Sequence, residues 1–183
     1  MATLRGYRRG VAERKPNVIL VGLSGSGKTS IGRAVAREIH WPFIDFDTEI
    51  EHRQHASVSE IFSRHGEAFF RGLEQDLTRE LVTCSGTIMS AGGGWVLNRE
   101  AVALLRETGR IIYLRASPEL VARRLATARV RRPLLDTPDP LDTLTTMYEA
   151  RRPLYEQADL VLDAEVFDRK QLIEQVRLYA MSL

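Results

Sequence analysis

Residues 22–29 read Gly-Leu-Ser-Gly-Ser-Gly-Lys-Thr, the Gly-x-x-x-x-Gly-Lys-[Ser/Thr] spacing of a phosphate-cradling loop. Both flanks agree with that reading. Val18-Ile19-Leu20-Val21 is an apolar run long enough for a buried strand, and Ile31, Ala34, Val35 and Ile39 recur at helical spacing. A strand, a glycine-rich turn and a helix start in that order point successive N–H groups inward, and the helix N-terminus adds partial positive charge. The candidate nucleotide-binding residues are therefore Gly25, Ser26, Gly27, Lys28, Thr29 and Ser30. Lys28 is expected to reach the β- and γ-phosphates of ATP, and the Thr29 hydroxyl to ligate Mg2+.

The rest of the chain alternates short apolar runs with helical stripes, which argues for βα units around a parallel sheet. Strands are expected at 17–21, 42–45, 87–91, 110–114 and 159–162. Helices are expected at 28–39, 47–55, 58–65, 67–83, 98–107, 118–127, 141–157 and 168–181. Ser57 with Glu60 spells a capping box, Ser117-Pro118 an N-cap followed by proline at the first helical position, and Asp168 a cap for the last helix. Pro153 is expected to break or kink its helix, with a boundary near residue 151. Residues 123–139 hold five arginines and two prolines, which argues for a functional loop, read here as a mobile lid.

A chain of 183 residues suits one domain. The expected division is a basic, disordered tail at 1–16 and a single domain at 17–183. The tail carries five basic side chains against Glu13 alone, leaving 21 basic and 23 acidic residues for the remainder. No nucleic-acid-binding motif accompanies that charge. The single cysteine, Cys84, forbids an internal disulfide and reads as a buried, inert thiol. No apolar run is long enough for a membrane span and no signal-peptide core follows the start, so a cytoplasmic protein without membrane partners is expected. Separately, a monomer is expected.

Three further features carry chemistry. Asp45-Phe46-Asp47 closes the second expected strand, where carboxylates at i and i+2 face the same way at a ligand-binding sheet edge. One could hold Mg2+ and the other accept a hydroxyl proton, or Asp47 could cap the following helix. Gly92-Gly93-Gly94 follows a strand and allows close backbone approach to a ligand. Phe70-Arg71 with Glu74, and Arg151-Arg152-Pro153-Leu154-Tyr155, place arginines on separate helices. His52 and His55 form an i, i+3 pair without a third ligand and read as surface residues. Trp41 and Trp95 read as packing residues, with Trp95 close enough to the glycine triad to border a pocket.

Taken together, the phosphate loop, Asp45-x-Asp47, Phe70-Arg71 with Glu74, Gly92-Gly93-Gly94, Arg132-Pro133-Leu134-Leu135 and Arg151-x-Pro153-Leu154-Tyr155 resemble the shikimate kinase family in order and approximate spacing. The resemblance spans residues 17 to about 180. It implies a three-layer α/β P-loop kinase fold with a five-stranded parallel sheet flanked by helices, substrate-binding helices at about 47–83, and the lid at about 123–139. It implies ATP and shikimate as partners, Mg2+ as cofactor, and Lys28, Asp47 and Arg132 as the catalytic set. By the same resemblance Asp47 contacts the shikimate hydroxyls as base, and Asp45 with Thr29 lies at the metal. Arg71 and Arg151 bind the shikimate carboxylate, and Gly92, Gly93 and Gly94 supply N–H groups. Glu74 positions an arginine, Phe62 and Phe70 line the pocket, Arg132 reaches the transferred phosphate and Arg124 stacks on adenine. Arginine forks suit a carboxylate, and phosphoryl transfer needs positioning and charge neutralisation above all. The competing readings are a non-catalytic nucleotide-binding module and a kinase for another hydroxy acid such as gluconate.

Overall fold

A computed structural model describes residues 15–126 and 138–183. Five strands form one parallel sheet in the order β2-β3-β1-β4-β5. They are β1 (Asn17–Val21), β2 (Phe43–Asp45), β3 (Ile88–Ser90), β4 (Gly109–Arg115) and β5 (Leu160–Asp163). Seven helices follow among the described residues: α1 (Lys28–Glu38), α2 (Phe46–Gln54), α3 (Val58–Leu81), α4 (Arg99–Thr108), α5 (Pro118–Ala126), α6 (Pro140–Tyr155) and α7 (Arg169–Met181). Every residue of β1 is buried, although side chains alternate between the faces, so both faces of the sheet are covered. Asn17 tolerates that burial because its amide is satisfied: Nδ2 donates to Cys84 O at 3.0 Å and Oδ1 accepts from Thr87 N at 3.1 Å. Cys84 itself is buried, and desolvation raises its thiol pKa, which agrees with an inert packing role. No described helix is long and apolar enough to cross a membrane.

Local signals place most boundaries within a residue or two. The capping box at α3 is present in both halves, with Glu60 N donating to Ser57 Oγ at 3.2 Å and Ser57 N to Glu60 Oε2 at 2.8 Å. The two helical segments expected at 58–65 and 67–83 are the two arms of α3, separated at Gly66, whose φ of 80° and ψ of 173° are not helical. Lys15 is docked rather than part of a tail: its carbonyl accepts from Gly86 N at 2.9 Å, and its ammonium stands over the Trp41 ring. Residues 1–14 and most of the expected lid lie outside the described residues.

Two expectations are corrected. Helix α6 runs through Pro153 without a break near residue 151. Pro153 sits in the last turn, so it forfeits a single ladder bond just before the helix ends, and Glu156 N still closes on Arg152 O at 2.9 Å. The second concerns Asp45-Phe46-Asp47. The strand stops at Asp45, whose carboxylate caps α2 by accepting from Thr48 N at 3.1 Å. Asp47 lies in the first helical turn, so strand alternation is not what brings the two carboxylates to one site. Phe46 between them is fully buried and packs edge-on against Trp95, with centroids 6.1 Å apart.

Candidate active site

The phosphate loop joins the C-terminal end of central β1 to α1. Gly27, at φ 107°, occupies the N-cap position of α1. No side chain among the described residues caps that end and no acid stands in its first turn, which suits a ligand anion at the positive end of the helix. Lys28 is almost fully buried, and its Nζ donates to Gly22 O and Leu23 O, both at 2.8 Å. These bonds hold the ammonium against the loop. Ser26 is buried with its hydroxyl unpartnered among the described residues, while Ser30 Oγ donates to Gly27 O at 3.0 Å. Arg124, at the end of α5, reaches the loop and donates to Ser26 O at 3.0 Å. Arg132 lies outside the described residues.

Oxygen donors converge beside this loop. Thr29 Oγ1 donates to Asp45 Oδ2 at 2.7 Å and lies 3.4 Å from Ser90 Oγ. Asp47 lines the same cavity. No group of three or more His, Cys, Asp or Glu side chains that could cage a metal occurs among the described residues, and His52 and His55 stay an isolated ring pair. Mg2+ does not require such a cage. It takes one or two protein oxygens and fills its octahedron with water and phosphate, which the hydroxyl–carboxylate pair of Thr29 and Asp45 fits.

Next to the phosphate loop opens a cleft. Asp47, Arg71, Glu74, Gly92–Gly94 and Arg151 line it, with Phe62 and Phe70 on its apolar wall. The two phenyl rings lie 5.0 Å apart. Arg71 is forked between two carboxylates: Nη2 meets Glu67 Oε1 at 2.6 Å and Nη1 meets Glu74 Oε2 at 2.5 Å. Burial disfavours its charge, but Glu74 and Glu67 outweigh that and raise its pKa further. Arg151 is also almost buried.

Two of the three glycines are required by side chains before any ligand arrives. A Cβ on Gly92 would collide with Glu74 Oε1, and one on Gly94 with the Arg71 guanidinium. Trp95 does not border the cleft. It is fully buried behind it, donating from Nε1 to Thr78 Oγ1 at 3.0 Å.

Glu74 is the most perturbed acid of the cleft. Burial pushes its carboxyl up to about 7; Arg71 opposes the shift, and Asp47 and Glu67 reinforce it. Its Oε1 has no partner among the described residues. Between the ordinary carboxylate value near 4.5 and about 7, folded Glu74 keeps a proton that the unfolded chain releases. Its contribution to stability therefore falls as pH rises through that window and is level above it. Denaturant titrations of wild type and Glu74→Gln at pH 4.5, 6 and 8 check this. The wild type is expected to lose stability relative to the variant as pH rises from 4.5 to about 7. A constant difference across that window overturns the assignment.

Sequence reasoning missed Leu144 and Met147, which line the cleft with Arg151. Their i, i+3, i+7 spacing is a helical stripe and could have been read as one face. The expected break near residue 151 hid it.

The shikimate kinase family profile matches residues 24–179. The shikimate kinase of Cupriavidus pinatubonensis is 45% identical over 150 residues, covering 81% of this chain and 78% of the relative. That of Cereibacter sphaeroides is 38% identical over 170 residues, covering 93% and 85%. The shikimate kinase of Acinetobacter baumannii, solved in complex with shikimate, superposes with a TM-score of 0.85 at 30% identity, covering 91% of this chain and 93% of that one. A profile match over most of the chain, relatives at this identity and a shared fold establish that the protein belongs to the shikimate kinase family.

Proposed function

We propose that the protein transfers the γ-phosphoryl group of ATP to the 3-hydroxyl of shikimate, giving ADP and 3-phosphoshikimate. The observation that carries this reading is the convergence of Arg71, Arg151, Asp47 and the Gly92–Gly94 loop on one cleft beside the phosphate loop. A small hydroxylated carboxylate needs that set: two arginines for the carboxylate, donors and acceptors for the hydroxyls, and an adjoining triphosphate site.

The residue roles follow from chemistry. The loop amides and the α1 N-terminus hold the triphosphate, and Lys28 adds a full positive charge to it. Thr29 and Asp45 would hold Mg2+, which when bound supplies further charge neutralisation on the phosphate oxygens. Arg71 and Arg151 orient the shikimate carboxylate so that the attacking hydroxyl faces Asp47. Asp47 accepts the hydroxyl proton as the new O–P bond forms. The bond from the γ-phosphorus to the β,γ-bridging oxygen breaks, and its electrons leave on ADP. Arg124 is assigned to the nucleotide through its place on the phosphate loop, and Arg132 to the transferred phosphoryl from its motif.

A coupled ADP-release assay with shikimate, gluconate and nucleoside monophosphates tests the reading. Turnover is expected with shikimate at least tenfold above the other acceptors, about 1.4 kcal/mol in kcat/KM. A preference for gluconate would assign the cleft to another hydroxy acid. No turnover with any acceptor would leave a nucleotide-binding module.

A further inference from the structure

The Gly92–Gly94 loop has a sided hydrogen-bond pattern. All three carbonyls are engaged by the protein: Gly92 O accepts from Trp95 N at 3.0 Å, Gly94 O from Leu97 N at 3.0 Å, and Gly93 O from the Tyr155 hydroxyl. None of the three N–H groups has a partner among the described residues. Two of the carbonyls are tied by the short turn that follows the loop. The Gly93 carbonyl is held from far along the chain, by a side chain at the end of α6.

That peptide is the one most in need of a restraint. Like the Gly92–Gly93 peptide it lies between two glycines, so no Cβ hinders rotation of the peptide plane, but its carbonyl is not tied by the local turn. A planar trans peptide points its C=O and the next N–H in opposite directions. Whatever holds the Gly93 carbonyl therefore also aims the Gly94 N–H. Tyr155 lines neither the substrate cleft nor the phosphate-loop cavity, so it draws the carbonyl away from both.

The tyrosine is itself firmly fixed. It is fully buried, and its ring stacks on Tyr113 of β4 with centroids 5.0 Å apart and planes 21° apart. One helical turn separates it from Arg151, whose guanidinium lies beside the same hydroxyl. Burial raises its pKa to about 12 against the pull of Arg151, so the hydroxyl stays a donor at working pH.

We propose that Tyr155 is a positioning residue for the acceptor substrate: it locks the Gly93–Gly94 peptide with its N–H toward the cleft and ties that lock to Arg151. The proposal rests on the reading of the glycine loop and Arg151 as substrate contacts. It assigns no contact between Tyr155 and substrate.

Tyr155→Phe tests it, because phenylalanine keeps the ring and its stack on Tyr113 and deletes the hydroxyl. The shikimate KM is expected to rise about fivefold or more, the scale of one hydrogen bond, while the ATP KM stays within about twofold and the melting temperature holds. Arg71→Lys is measured alongside, with an expected rise in shikimate KM of at least about tenfold, since lysine lacks the planar fork. If Arg71→Lys shows that rise and Tyr155→Phe leaves both KM values alone, the cleft assignment stands and the role of Tyr155 is overturned. A parallel rise of both KM values with a lowered melting temperature also overturns it, because that is the mark of a general packing role. If neither variant moves the shikimate KM, the cleft assignment itself fails. Should Tyr155→Phe not fold, the Gly94 amide resonance of the wild type decides: it is expected to shift on titration with shikimate, and an unmoved resonance overturns the proposal.

Discussion

Replacing Lys28 by alanine is expected to abolish useful turnover, a loss of at least about 10³-fold in kcat, the upper end of what one charge-stabilising donor contributes. The charge at that position comes from a side chain held against the phosphate loop by Gly22 O and Leu23 O. Both carbonyls lie in the loop rather than in the sheet, and β1 packs without them. The loss of stability is therefore expected to stay below about 3 kcal/mol, with unfolding still cooperative. Steady-state kinetics and a denaturant titration on the same preparation check both halves. Turnover within tenfold of wild type would remove the phosphate-loop assignment, and an unfolded variant would show that Lys28 is needed for the fold.

Asp47→Asn is expected to lower kcat by about 10²-fold or more, the usual scale for losing a general base. The substitution keeps size and hydrogen bonding. It also spares the helix cap, because Asp45 and not Asp47 accepts the N-terminal amide of α2. A drop in kcat with a nearly constant shikimate KM places Asp47 in the proton transfer. An unchanged kcat with a raised KM confines it to binding.

The phosphate loop, the strand before it and the helix after it were legible because eight contiguous residues and two short apolar stripes specify them. Caps at Ser57 and Asp168 were legible for the same reason: donor and acceptor lie three residues apart. The family could be read from motif order, since spacing along the chain survives without coordinates. Packing settled what lies between those motifs. Arg124 meets the phosphate loop across 98 residues, a contact no local pattern encodes. Pro153 leaves α6 intact because it falls in the final turn, and that continuity puts Leu144, Met147 and Arg151 on one wall. The glycine triad, read first as room for a ligand, is also room for Glu74 and Arg71. The near-neutral carboxyl of Glu74 exists only because folding strips its water away. Caps, turns and periodicity depend on φ, ψ and hydrogen bonds within a few residues, and so are written in order along the chain. Desolvation and close approach depend on which distant atoms fill the space around a side chain, and that is set when the helices close over the sheet.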